Sequence, residues 1–286
     1  MAGPWRFRRG GSVRLSEASR IDVSAGAWRA STGGITTGKA GSVALEANAG
    51  KTSTLAGNVM LAGRLSGYDF RSGGKLSIKG VPGVSIGQGG KADDLQLSTA
   101  FFSDNGFGSF ELASLGDVDV AAGTVLMPTL KNHQLDAARV GAGNGASLFV
   151  TKELNDALRA PVNLTLTAVK PSQDNREGYK EGGSVHIGAG AQLDLGAGGS
   201  LTASAGRQIQ LSSGASVTAH GGVVALNLSG YRAGGSINSG TVQSSDDVGF
   251  VADNEVRLSA GSRIDVSGIA RTQTQIVSGQ ERVTGS

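Results

Sequence analysis

The clearest pattern of apolar and polar positions runs from Gly183 to Ala219, GSVHIGAGAQLDLGAGGSLTASAGRQIQLSSGASVTA. The apolar pairs Val185/Ile187, Leu193/Leu195, Leu201/Ala203, Ile209/Leu211 and Val217/Ala219 each have members two residues apart, and their first members recur at a step of eight. A spacing of two places both members on one face of an extended strand and turns the residues between them (His186, Asp194, Thr202, Gln210, Thr218) to the other. Five short, half-buried strands are predicted, separated by Gly, Ala and Ser that permit tight turns. Such regularity marks a repeat protein.

The same spacing recurs along the chain. Val13/Leu15 and Ile21/Val23, Val43/Leu45, Val59/Leu61, Leu76/Ile78 and Val84/Ile86, Leu95/Leu97, and Phe110/Leu112 and Val118/Val120 all read as strands, with Gly73-Gly74, Gly89-Gly90 and Gly221-Gly222 as turns. An eight-residue step closes with three strands per turn, about 24 residues per coil, and stacked coils then form three parallel sheets with ~4.8 Å between strands. The expected fold is all-β, a parallel β-helix of about three short strands per coil with one irregular insertion. Roughly ten coils would make a rod of about 50 Å. Propeller blades would need a period of about 40–50 residues with aromatic signatures, which are absent.

The segment VRLSAGSRIDVS at 256–267 differs at only two positions from VRLSEASRIDVS at 13–24, so one structural unit is expected at both places. Neither copy has the polar outer face of a capping repeat. The expectation is an internal piece of a longer exoprotein, which would also explain why MAGPWRFRRG is followed by no signal-peptide apolar core.

These patterns divide the chain into a basic tail over 1–9, coils over 10–126, an irregular insertion over 127–182 and further coils over 183–286. The insertion is where the grammar breaks. It holds three of the five prolines, at 128, 161 and 171, a helix-like KELNDALR at 152–159, a strand-like Val162–Leu166, and a polar run over 170–182 expected to be exposed.

Composition narrows the chemistry. Of 286 residues, 38% are hydrophobic but only 5% aromatic, so the core must be built from small aliphatic side chains. Forty-seven glycines without a three-residue period exclude collagen, and a net charge of +3 with strictly patterned aliphatics argues against disorder. The absence of cysteine removes disulfides, thiolate metal sites and cysteine nucleophiles together. The three histidines, at 133, 186 and 220, are too dispersed to suggest a histidine-rich metal site. No transmembrane run is present, the longest apolar patch being Val223–Leu226. Arg6-Phe7-Arg8-Arg9 is basic but short, so nucleic acid is not an expected partner.

Three motifs approach functional chemistry. GGITTGKA at 33–40 is one residue from a phosphate-binding loop, but Ala40 lacks the hydroxyl that would hold magnesium, and strand periodicity follows where a helix is required. GGKADDL at 89–95 resembles a calcium-binding nonapeptide, with Ala92 where Gly is expected, Gln96 at an apolar position and no tandem copy. Glycoside cleavage needs two carboxylates facing one cleft, about 5–9.5 Å apart. Candidates are Asp117 with Asp119, on one face of a strand, and Asp246 with Asp247, which would approach His220 if the coils stacked favourably. Alternation with Val118 and Val120 is equally what an outward-facing strand shows. No catalytic, cofactor-binding or metal-binding residue is assigned, and the outward His186, Asp194 and Gln210 read as solvated rungs.

The GGSV and GGSL strand starts, the VRLSAGSRIDVSG segment, GFGSFELASLGDVDVAAGTVLMP at 106–128 and LRAPVNLTL at 158–166 resemble the filamentous haemagglutinin family, large exoproteins of Gram-negative two-partner secretion. The resemblance implies a right-handed parallel β-helix, export through an outer-membrane two-partner transporter, and a secreted or cell-surface adhesive shaft. It further implies attachment to a glycan or protein receptor on host or neighbouring bacterial cells. No match to that family's secretion-recognition domain is seen. The leading expectation is a non-enzymatic structural and adhesive segment. The alternative is a carbohydrate-active β-helical enzyme, a lyase or glycoside hydrolase. Convergence of Asp117, Asp119, Asp246 or Asp247 with a basic residue in a cleft would favour the alternative.

Overall fold

A computed structural model of the chain describes residues 5–8, 10–49, 57–142, 148–154, 158–168, 183–228, 255–268, 272–277 and 280–285. Regular structure among them is almost all strand, helix being confined to Phe101–Asp104 and Ala137–Ala142. Three consecutive strands of the eight-residue stretch enter three different sheets, and the fourth lies on the first. Val185 stands beside Ile209 and Leu193 beside Val217, each a 24-residue circuit, while Leu201 stands beside Val224, a 23-residue circuit. All ten residues of the apolar pairs over 185–219 are at most 1% exposed, and the residues between them are half-buried.

The largest sheet has seven parallel strands in the order Trp5–Arg8, Ser42–Glu46, Gly74–Val81, Phe107–Ser114, Asn163–Ala168, Ser200–Ala205 and Val223–Leu228. A six-stranded parallel sheet runs Leu95–Leu97, Val84–Ile86, Val118–Val120, Val185–Ile187, Gln208–Leu211, Glu255–Leu258, and a four-stranded one runs Val125–Leu126, Gln192–Asp194, Ser216–Thr218, Arg263–Asp265. In-register pairing turns each inward position into a column. Leu76, Phe110, Leu164 and Leu201 form one, and Val84, Val118, Val185 and Ile209 another; every one of these residues is at most 1% exposed. Small side chains suffice because the three sheets approach closely enough for columns from each to meet in one core.

Close stacking also dictates particular glycines. A Cβ on Gly108 would lie 1.9 Å from the Ser72 carbonyl oxygen, and one on Gly222 would lie 1.9 Å from that of Gly199. No larger residue fits without moving the backbone of the adjacent turn.

Several sequence-based boundaries are corrected. Residues 5–8 are no tail: Trp5–Arg8 pairs in parallel with Ser42–Glu46, placing Trp5 beside Val43 and Phe7 beside Leu45. The proposed insertion is divided by Asn163–Ala168, a full member of the seven-stranded sheet between Phe107–Ser114 and Ser200–Ala205. Lys152 and Glu153 are extended, in Phe149–Glu153, where a helix was expected; the helix of this region is Ala137–Ala142. The reason is pairing, since Phe149–Glu153 closes an antiparallel hairpin with Lys131–Leu135 that local helix propensity does not offset. Residues 170–182 lie outside the described residues. Among the described residues the longest sheet has seven strands, against the ten coils expected, and excursions consume part of the chain. Among these are the antiparallel hairpins Ala27–Arg29/Ile35–Thr37, within the first coil region, and Thr272–Val277/Gln280–Gly285, within the last.

The excursion around 131–153 is packed on the body. The His133 amide donates to the Asp69 carbonyl at 2.7 Å and Asn132 Nδ2 to the Arg71 carbonyl at 2.9 Å. The His133 ring lies 4.2 Å from Phe149 and 5.6 Å from both Tyr68 and Phe70. Arg29 Nη1 donates to the Val140 carbonyl at 2.7 Å, tying the first hairpin to the helix of the excursion across 111 residues.

Candidate functional site

The polar cluster nearest to site-like chemistry lies on the outer face of the six-stranded sheet. Alternation in Val118–Val120 buries both valines and turns Asp119 outward, with Asp117 on the same face one residue before the strand. Parallel register then sets His186 beside Asp119, and their Nδ1 and Oδ1 are 2.9 Å apart. Lys91 arrives from an unexpected detour. Val84–Ile86 and Leu95–Leu97 are adjacent strands of the same sheet, so the chain doubles back between them and carries Lys91 over the neighbouring strand. Lys91 Nζ donates to Asp117 Oδ2 at 3.0 Å and is 3.7 Å from Asp119 Oδ2.

The electrostatics follow from these contacts. Burial pushes the Asp117 carboxyl up, but the Ser184 amide and Lys91, both donating to it, prevail and hold it below the usual carboxylate range. The hydrogen bond to Asp119 raises the His186 pKa against the opposing effect of burial. The hydrogen bond to Asp117 raises Lys91. The cluster therefore sets two carboxylates against one ammonium and an imidazole whose protonated form Asp119 favours, with these groups already engaged with one another.

Asp117 and Asp119 thus converge with basic residues, as the enzymatic alternative requires, but on a sheet face. Neither lines either of two grooves formed by the described residues on the seven-stranded sheet. Asp246 and Asp247 lie outside the described residues. His220 faces Asp265, its Nδ1 3.8 Å from Oδ1. His186, read from the sequence as a solvated rung, is corrected to a paired one. Its partner lies 67 residues away, and the length of the intervening excursion hid the register.

The other motifs resolve into local structure. In GGITTGKA, Ile35–Thr37 is the second strand of a hairpin and Gly33 takes φ +86° at its turn, with the Ala30 amide donating to the Gly34 carbonyl at 2.7 Å. In GGKADDL, Asp94 accepts a hydrogen bond from Ser85 Oγ at 2.6 Å, and the Asp93 carbonyl accepts one from Asn58 Nδ2 at 2.8 Å. Among the described residues no group of three or more His, Asp or Glu is arranged to hold a metal ion.

These two grooves lie on the seven-stranded sheet. One, of about 300 Å³, is floored by Ala44 and Ser77 and walled by Arg6, Glu46, Lys75, Lys79 and Glu111. Glu111 bridges Lys75, at 2.9 Å, and Lys79; despite burial, these two ammonium groups lower its pKa to about 2. The other, of about 570 Å³, follows the edge of the sheet where its strands begin, past Ser42, Lys75, Ser109, Asn163 and Pro161. No described helix is long and apolar enough to cross a membrane.

Fold and surface define an all-β protein of stacked parallel sheets. No family model, curated protein or solved structure matches the chain.

Proposed function

We propose that this chain is a structural and adhesive segment, a right-handed parallel β-helical shaft of a secreted or cell-surface exoprotein of the filamentous haemagglutinin type. The observation that carries the reading is the three-column stacking with circuits of 24 and 23 residues, which gives length with each added coil. The handedness and the export route rest on the sequence resemblance. In this reading the parent protein leaves the cell through an outer-membrane two-partner transporter. The shaft then displays the packed excursion around 131–153 and the hairpin bearing Trp28, 65% exposed, to a glycan or protein receptor.

The shaft is tested by negative-stain microscopy of the purified chain, where elongated particles are expected and compact spheres would overturn it. Adhesion is tested with beads coated in the chain, which should bind epithelial or bacterial cells above albumin-coated controls. A second reading, a carbohydrate-active enzyme, is favoured only by the meeting of Asp117 and Asp119. Release of reducing or unsaturated ends from polysaccharides, lost in Asp117→Asn, would establish it. In that reading the lowered Asp117 pKa suits a base or nucleophile rather than the general acid, and Asp117 is already engaged by Lys91 and the Ser184 amide.

A further inference from the structure

Among the described residues the stack ends on both sides in unpaired strands. Trp5–Arg8, Val13–Leu15 and Arg20–Asp22 are outermost at one end, and Val223–Leu228, Glu255–Leu258 and Arg263–Asp265 at the other. The two outermost coils carry the near-identical segments VRLSEASRIDVS, 13–24, and VRLSAGSRIDVS, 256–267. Each segment is occupied on the side that the other leaves open. Val13–Leu15 and Arg20–Asp22 pair with Val59–Leu61 and Arg64–Ser66 of the following coil, whereas Glu255–Leu258 and Arg263–Asp265 pair with Gln208–Leu211 and Ser216–Thr218 of the preceding one. One coil sequence therefore takes a parallel neighbour on either side.

Both open ends are apolar. At one, Val256, Leu258 and Val266 are 41%, 57% and 45% exposed; at the other, Trp5 is 38% exposed and its ring stacks on Phe7 with centroids 5.9 Å apart. Trp5 and Phe7 begin two inward columns of the seven-stranded sheet, and Val224 and Leu226 finish them. Backbone directions are complementary too. The Val13 amide donates to the Asn58 carbonyl and the Val23 amide to that of Ser66, both at 2.8 Å, and the Ser19 carbonyl accepts from Arg64 at 2.8 Å. Alternate residues of a parallel strand direct their amide and carbonyl groups to opposite neighbours, so Arg14, Arg20 and Asp22 direct theirs to the open side. At the other end the Ser259 and Arg263 amides donate to Leu211 and Ala215 at 2.9 and 2.8 Å, which turns the groups of Val256, Leu258 and Ile264 to the open side.

We infer that copies of this chain associate head to tail, the coil at 255–267 of one stacking in parallel on the coil at 13–24 of the next. Val256 then stands beside Val13, Leu258 beside Leu15 and Ile264 beside Ile21. Both strand pairs come into register together because Val13 to Ile21 and Val256 to Ile264 are the same distance along the chain. This register pairs the open amide and carbonyl groups of the two edges, and it sets Val224 and Leu226 against Trp5 and Phe7. Charge does not oppose it: Arg20 is paired with Asp22, Arg257 with Glu255 and Arg263 with Asp265, and the stack already holds Arg20 beside Arg64. A contact between two different surfaces does not close on itself, so association lengthens the rod. The inference goes beyond the adhesive reading and does not depend on it.

The test follows the whole purified chain by sedimentation velocity over a concentration series, where dimers and longer rods should grow with concentration. Arg14→Pro removes an amide directed to the open side of one end, and Leu258→Lys places an ammonium on the other. Each variant alone should keep its circular dichroism and associate at least about tenfold more weakly. An equimolar mixture of the two should recover dimers, since each keeps the surface that the other has lost. The chain has no cysteine, so a disulfide reads the register without background. Arg14→Cys mixed with Arg257→Cys, both at exposed positions, should form the mixed disulfide in preference to either homodimer, and this readout holds even if Arg14→Pro misfolds. A chain monomeric up to about 1 mM would overturn the proposal. So would undiminished association of either blocked variant, no recovery when the folded variants are mixed, or homodimer disulfides formed as readily as the mixed one.

Discussion

Truncating Ile209 tests the inward columns most directly. The side chain is fully buried between Val185 and Val256 in the six-stranded sheet. Ile209→Ala removes three buried carbons, about 2.4 kcal/mol at ~0.8 kcal/mol per methylene, and the unfilled cavity brings the expected loss to about 2–5 kcal/mol. Two controls share its surroundings. Val256→Ala acts in the same column where the residue is 41% exposed, so it should cost no more than about 1 kcal/mol. Gln210→Ala changes the next residue, on the outer face, and should stay within about 0.5 kcal/mol. Urea unfolding followed by circular dichroism ranks the three. Hydrogen exchange should show the Ile209→Ala loss first in Val185–Ile187 and Gln208–Leu211, because stacked coils depend on their neighbours. A cost for Ile209→Ala no larger than that for Gln210→Ala would refute the inside/outside assignment.

The remaining expectations concern charges and glycines. Asp119 raises His186 above the ordinary histidine value of 6.5, so the stability from their pair should be fully present below that pH and be lost as pH rises through the raised value. An NMR titration should show the His186 pKa falling in Asp119→Asn, and an unchanged pKa would refute the coupling. Glu111, lowered to about 2, contributes stability above the ordinary 4.5 that is lost as pH falls toward 2. Because its partners are about half-exposed, Glu111→Gln should cost only about 0.5–1 kcal/mol in denaturant titrations at neutral pH, less in high salt. Gly222→Ala, with its Cβ 1.9 Å from the Gly199 oxygen, should lower stability by about 1–3 kcal/mol, whereas Gly34→Ala, with nothing within 4 Å, should change it by under about 0.5 kcal/mol. Equal thermal unfolding of the two glycine variants would show that the coils do not stack as closely as described.

Alternation of apolar and small polar residues determined by itself which side chains face inward, because a strand turns successive residues to opposite faces wherever it lies. Val185, Leu193, Leu201, Ile209 and Val217 were therefore legible as core, and their eight-residue step as a circuit of three strands. Where excursions intervene, spacing no longer determines which strands touch. Only the tertiary structure placed Asp119 beside His186 across 67 residues, brought Lys91 over Asp117 by doubling the chain back, and made Trp5–Arg8 a sheet strand. It also aligned Ser42, Lys75, Ser109 and Asn163 along one groove, although their spacings in the chain are unequal. The physical reason is that local periodicity sets the direction of a side chain, while its partner depends on how much chain each excursion consumes before the next strand returns to the stack.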